Sequence, residues 1–134
     1  MANTTFTGPV RSENGFESIT KNTSTGAITS NASYGKAIRG GVQSLSGAGA
    51  VDLTNLVTEL TTTGANALTL ADGTTSGQIK IVNMIVDGGD GTLTPVNFAN
   101  GTTITFDAVG ESATLVWNST VGWIASSTQG ATIA

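Results

Sequence analysis

The chain lacks several of the side chains on which enzyme chemistry most often depends. Its 134 residues include no cysteine and no histidine. Disulfides, thiolate metal sites, cysteine nucleophiles and histidine general bases are therefore all excluded. Only 10% of the residues are charged, and the net charge is −4. Because nucleic-acid binding needs a surplus of basic side chains, we expect no nucleic-acid partner.

Long apolar runs are also missing. No stretch reaches the roughly 20 apolar residues that span a bilayer as a helix. The first residues, from Met1 to Thr5, show neither the basic nor the apolar region of a secretory signal. We therefore expect no membrane partner and synthesis in a cytoplasm.

The residues that are abundant favour strands and turns. The sequence contains 24 threonine and 18 glycine residues, together with many valine and asparagine residues. Threonine and valine fit a pleated sheet because their branched Cβ packs well there. Glycine and asparagine supply the turns between strands. The composition predicts an all-β protein.

Residues 51–134 show the strand pattern most clearly. Short apolar runs alternate with turn signals such as Asp72-Gly73 and Asn100-Gly101. The predicted strands fall within residues 51–60, 67–70, 78–87, 93–98, 102–107, 113–117 and 121–125. This spacing predicts a small antiparallel sandwich or barrel, jelly-roll-like, of about seven strands.

The first 50 residues differ from this body. Residues 1–40 carry single large apolar residues without sustained periodicity, which suits either a disordered tail or an extended N-terminal arm that orders against a partner. We favour the arm, because a solvated tail would rarely carry two phenylalanines and a tyrosine. Residues 41–50 are small and glycine-rich and predict a linker. Residues 1–50 have a net charge of +2, whereas residues 51–134 have a net charge of −6. This division suggests that the arm meets an acidic surface.

Carboxylates are the remaining candidates for catalysis. Asp87 and Asp90 share one glycine-rich loop, and Asp107 and Glu111 flank another. Such residues commonly cap backbone amides in turns, and the Asp87–Asp90 loop matches no calcium-binding spacing. We therefore predict no catalytic residue, no metal, no cofactor and no enzymatic activity.

Two features predict a contact between subunits. Under a period of two, both faces of the strand at 78–87 are largely apolar, which suits a central strand with one face against a neighbour. Trp117 and Trp123 lie on the last predicted hairpin, where a tryptophan pair is more often core or interface than a sugar platform. The predicted interface residues are Met84, Val86, Trp117 and Trp123.

Two segments resemble a family of virus proteins. The segment TTFTGPVRSENGF and the block LADGTTSGQIKIVNMIVDGGDGTLTPVNFANGTTITFDAVGESATLVWNSTVGW are similar to small virion proteins of tailed phages, the capsid decoration or cement proteins. The resemblance implies a homotrimer that is made in the bacterial cytoplasm, binds the major capsid protein on the outer shell of the virion and bridges neighbouring capsomers. On that reading the arm holds the capsid-binding anchors, Phe6, Val10, Arg11, Phe16 and Ile19.

A receptor- or glycan-binding module of a phage fibre or head fibre is the alternative. It would use Trp123 or the loop from Asp87 to Asp90 on an exposed face. Both readings describe a binding or structural protein, and they differ in which end of the chain recognises the partner.

Overall fold

The computed structural model of the protein describes residues 16–34 and 38–134. Within these residues all regular structure is β, and there is no helix that could cross a membrane. The chain divides into two compact units, Met1–Gly40 and Gly41–Ala134.

The first unit contains a three-stranded antiparallel sheet. Its strands are β1 (Phe16–Lys21), β2 (Ile28–Tyr34) and β3 (Ile38–Arg39), in the order β1-β2-β3. The turn between β1 and β2 forms because the Asn22 side chain accepts hydrogen bonds from the backbone of Ser24 and Thr25. Gly26 then adopts a φ of 75°, which a residue with a side chain rarely takes. The sequence predicted an extended arm over residues 1–40, and the described part of it is a hairpin with a third strand.

The second unit, the body, contains ten strands. They are β4 (Val42–Ser46), β5 (Gly49–Val51), β6 (Val57–Thr61), β7 (Asn66–Leu70), β8 (Ile79–Val86), β9 (Gly91–Pro95), β10 (Ile104–Phe106), β11 (Ser112–Asn118), β12 (Gly122–Gln129) and β13 (Thr132–Ile133). They form two five-stranded sheets. Sheet I has the order β12-β11-β8-β6-β4, and sheet II has the order β13-β10-β9-β7-β5.

The first six strands of the body alternate between the two sheets. Strands β4, β6 and β8 pair in parallel in sheet I, while β5, β7 and β9 pair in parallel in sheet II. Strands β10 to β13 then complete both sheets with antiparallel pairs. The prediction of an all-β sandwich is confirmed. The body differs from the predicted antiparallel arrangement of about seven strands, because it has ten strands and each of its sheets contains both parallel and antiparallel pairs.

Two predicted segments need correction. Residues 41–50 were expected to be a linker, yet they form β4 and β5 and so begin both sheets. The predicted strand at 51–60 is the end of β5, a turn and the start of β6, because the chain crosses between sheets there. The C-terminal residues also pair, since β12 continues to Gln129 and β13 closes onto β10.

The core lies between the two sheets. Its largest apolar side chains are fully or almost fully buried: Leu60, Leu68, Leu70, Met84, Leu93, Ile104, Phe106, Leu115, Trp117 and Trp123. Strand residues alternate between this core and the outer surface, as the period of two requires. The outer faces of both sheets are therefore available for other contacts.

Candidate interaction surface

The outer faces of the two sheets differ in chemistry although they are built alike. On sheet II the outward positions of β7, β9, β10 and β13 are mostly threonine. Thr69 on β7 is the register partner of Thr94 on β9. Thr105 on β10 is the register partner of both Thr92 on β9 and Thr132 on β13. Each alternates with a core residue on its strand. These five residues form the threonine face.

On sheet I some of the outward positions carry branched aliphatic residues, in two adjacent rows, while other outward positions carry Ser44, Glu59, Thr61, Asn83 and Thr114. One row runs through Val42, Val57 and Ile81 on β4, β6 and β8. The other runs through Ile79, Val116 and Ile124 on β8, β11 and β12. These six residues form the aliphatic face.

The aliphatic face is partly open to solvent. Val42 is 51% exposed and Ile79 is 46% exposed. The other four residues are half-buried by their neighbours within the sheet. Ile85 is also 45% exposed, but the outward Asn83 separates it from this group and the register of β6 and β8 shifts beside it. A contiguous group of this kind marks a contact surface more often than isolated apolar residues do.

Threonine on the opposite sheet serves as an internal control for this surface. Valine and threonine have nearly the same shape and both favour strands. Strand formation alone therefore does not explain why six outward positions of sheet I carry valine or isoleucine, although sheet I also carries Thr61 and Thr114 outward. The remaining difference is how each face interacts with water, and the aliphatic face gains most from being covered.

Charge is nearly absent from the aliphatic face. Glu59, outward on β6, is its one flanking carboxylate among the described residues of sheet I. The one basic side chain of the body, Lys80, points inward from β8 and is buried. A surface without charge offers no specific attraction to a strongly charged ligand.

Lys80 is held inside the body by the turn that connects β5 and β6. Its Nζ donates a hydrogen bond to the Asn55 carbonyl at 2.9 Å and lies 3.5 Å from an Asp52 oxygen. Burial lowers the pKa of Lys80, although the Asp52 carboxylate opposes that shift. Burial alone would raise the pKa of Asp52, but hydrogen bonds from Asn55, the charge of Lys80 and the Thr54 amide together lower it. The ion pair connects the turn between β5 and β6 to β8.

The predicted carboxylates converge from two loops. Repulsion from Glu111, with burial and the charges of Asp90 and Asp87 adding to it, raises the pKa of Asp107. Asp87 caps the Gly89 amide, and Glu111 accepts a hydrogen bond from the Asp107 amide. These bonds agree with the turn-capping interpretation. No group of three metal-ligating side chains suited to an ion occurs in the part of the chain that the structure describes.

The structure corrects most of the predicted subunit interface. Met84, Trp117 and Trp123 are buried in the chain's own core, where no neighbouring subunit can contact them. Val86 was expected to lie on the same face of its strand as Met84 but is 46% exposed, because the pairing of β6 and β8 shifts by one residue just before it. The surface that remains is the other side of β8, which the alternation of Ile79, Ile81 and Ile85 already indicated in the sequence.

Trp123 is also removed as a sugar platform. Its side chain is 0% exposed, and its Nε1–H donates a hydrogen bond to the Ala71 carbonyl at 2.9 Å. The ring packs 5.4 Å from that of Trp117, with 59° between the planes. The glycan-binding alternative therefore retains only the loop from Asp87 to Asp90.

The predicted capsid-binding anchors lie in the first unit. Phe6, Val10 and Arg11 are outside the described residues, and Phe16 begins β1. Ile19 on β1 is 46% exposed, and Ile28 on β2 is 62% exposed. The first unit thus presents large apolar side chains to solvent.

No family model matches the chain, and no curated protein matches it.

Proposed function

We propose that this protein is a structural component of a tailed-phage virion, a decoration or cement protein that binds the outer capsid shell as a homotrimer. The observation that supports the proposal is the exposure of branched apolar side chains on both units, on the aliphatic face of the body and at Ile19 and Ile28 of the first unit. The resemblance of the sequence to decoration proteins gives the class of assembly and the partner, the major capsid protein.

The two units suit two different contacts. The body offers the aliphatic face, while the first unit offers Ile19 and Ile28 on a separate small sheet. Residues 1–50 also have a positive net charge, unlike the acidic body. We assign shell binding to the first unit. A trimer carries three copies of this unit, and three weak contacts with the shell act together through their high effective concentration.

Co-sedimentation with empty phage shells tests this function. The full chain is expected to pellet with the shells and to saturate at a fixed ratio to the capsid protein. Absence of co-sedimentation at micromolar concentrations would refute the proposal.

A pair of matched variants tests the assignment to the first unit. Ile19→Asp places a charge on β1, at the position paired with Ser30. Thr29→Asp places the same charge on β2, at a position that alternation assigns to the other face of this small sheet. We expect the Ile19 variant to lose most of the pelleted protein and the Thr29 variant to retain it. Equal binding by both would show that the first unit contacts the shell elsewhere or not at all.

The glycan-binding alternative is tested on the same preparation. Melting temperatures measured with calcium and with a panel of sugars are expected to remain unchanged. A sugar-dependent rise that Asp87→Asn or Asp90→Asn removes would favour a fibre module instead.

A further inference from the structure

We infer that Asn100 is a site of spontaneous deamidation, at which the backbone nitrogen of Gly101 attacks the side-chain amide of Asn100. Three groups take part: the attacking nitrogen, the amide carbonyl and the amide nitrogen that leaves. This chemistry belongs to the chain itself, so it goes beyond the proposed function and holds whichever partner the protein binds.

The reaction is an intramolecular substitution followed by hydrolysis. The Gly101 nitrogen forms a bond to Asn100 Cγ and gives its proton to water, while the bond from Cγ to Nδ2 breaks and Nδ2 leaves as ammonia. The product is a cyclic succinimide. Water then adds to one of the two ring carbonyls and opens the ring to aspartate or isoaspartate, so water is the one co-reactant.

The residue after Asn100 favours the attack. A side chain on that residue would hinder the approach of its nitrogen to Cγ, and glycine has none. Among the described asparagines, Asn100 is the one that precedes a glycine. Both Asn100 and Gly101 are exposed in the connection between β9 and β10, so water reaches them.

The hydrogen bonds around Asn100 leave the reacting groups available. Within the described residues the Gly101 amide donates no hydrogen bond, so none has to break before the attack. The Nδ2 group of Asn100 has no partner there either, and it is free to leave. Asn100 Oδ1 accepts a hydrogen bond from the Ala125 amide at 2.8 Å. This donor polarises the carbonyl and stabilises the negative charge that develops on Oδ1 during the attack.

Asn118 provides an internal comparison at the turn between β11 and β12. The residue after it is Ser119, whose amide donates a hydrogen bond to Ser76 Oγ at 3.0 Å. That bond occupies the nitrogen that would have to attack. Asn118 Oδ1 also accepts a hydrogen bond from the Thr120 amide at 2.9 Å, which holds the side chain in its turn-capping position. Asn118 therefore lacks both the following glycine and the free nitrogen that Asn100 has.

Asn100 also helps to join the two sheets of the body at one edge. The segment after β9 lies along β12, where the Trp123 amide donates to the Asn97 carbonyl and the Ala99 amide donates to the Trp123 carbonyl, both at 2.9 Å. The bond between Asn100 and Ala125 extends this contact. In isoaspartate the backbone runs through the former side-chain carbonyl, and the remaining carboxylate is one carbon shorter. It cannot make the same bond, so we expect the reaction to loosen this edge.

Incubation of the full chain in mildly alkaline buffer tests the site. Peptide mapping by mass spectrometry follows the conversion of Asn100 and Asn118 separately, and it also separates both from the Asn14-Gly15 pair, which lies outside the described residues. We expect conversion at Asn100 to be at least about fivefold faster than at Asn118, the effect on a rate of one hydrogen bond to the attacking nitrogen. Equal rates at the two sites, or conversion at Asn100 only after unfolding in urea, would overturn the inference.

A pair of matched variants tests the consequence for the fold. In Asn100→Gln the longer side chain would have to close a larger ring, which forms much more slowly, and Asn118→Gln makes the same change at the comparison site. After incubation we expect the unfolding equilibrium constant of the wild type and of the Asn118 variant to rise by about fivefold, through loss of the bond to Ala125. The Asn100 variant should keep its starting value. Circular dichroism before incubation checks that both variants are folded, and Asn100→Ser replaces Asn100→Gln if the latter is not. Equal loss of stability in the folded Asn100 variant and the wild type would show that the loosening arises elsewhere.

Discussion

Replacement of Trp123 tests whether the last hairpin belongs to the core or to a binding surface. Trp123→Phe removes the indole N–H that bonds the Ala71 carbonyl and leaves space beside Trp117. A net hydrogen bond contributes about 1 kcal/mol, and the incompletely filled space costs roughly another 1 kcal/mol. We therefore expect the free energy of unfolding to fall by about 2 kcal/mol.

Trp123→Ala extends the same reasoning. Truncation of a fully buried aromatic side chain costs about 3–5 kcal/mol, which is a large part of the roughly 5–15 kcal/mol that stabilises a typical domain. Urea unfolding followed by far-ultraviolet circular dichroism measures both variants without depending on tryptophan fluorescence. The Phe variant should lower the melting temperature by roughly 8–16 °C in a unit of this size.

Val121→Ala is the matched control. Val121 lies two residues before Trp123 at the turn of the same hairpin and is 51% exposed. Its truncation should change stability by no more than about 0.5 kcal/mol. Wild-type stability in Trp123→Phe, or loss of partner binding in Trp123→Ala without loss of stability, would show that the indole is not packed as described.

Three further measurements probe other parts of the body. Gly73→Ala is expected to destabilise the body, because a Cβ there would lie 2.3 Å from the Trp117 ring. A variant that unfolds at the same urea concentration as the wild type would contradict that contact. Asp107→Asn should stabilise the body at pH values above the raised pKa of Asp107, and less so in high salt. Glu111 raises that pKa in the folded state, so the wild type loses stability as the pH rises through it. The test is the pH dependence of unfolding of both proteins. Lys80 has a lowered pKa in the folded state, so wild-type stability should rise with pH in the window between that value and the unfolded value of 10.5, and Lys80→Met should lack this rise in alkaline urea titrations.

The sequence predicted the strands whose signals are local. The alternation in β8 placed Lys80, Val82 and Met84 on one side and Ile79 and Ile81 on the other, and the structure buries the first three. The same pattern therefore identified the aliphatic face in outline. It could not show which side faces the core, since both sides of the strand are apolar apart from Lys80.

Strands that depend on distant partners were missed. β4 and β5 consist largely of small residues, and each becomes a strand by pairing in parallel with β6 or β7 farther along the chain. Two parallel strands are not joined by a short turn that could be recognised in the sequence, because the chain must cross to the other sheet before it returns. The glycine content of residues 41–50 consequently indicated a linker.

The sequence by itself determined that this protein is all-β, that its body is acidic and poor in groups suited to catalysis, and that threonine, valine and isoleucine line its strands. Only the tertiary structure decided that the tryptophan pair is core, that the carboxylates of two loops meet, and that branched aliphatic residues from five strands form two rows on the outer face of sheet I. The physical reason is that composition and alternation are local properties. Which strands become neighbours, and which side of each is covered, depends on contacts between residues far apart in the chain.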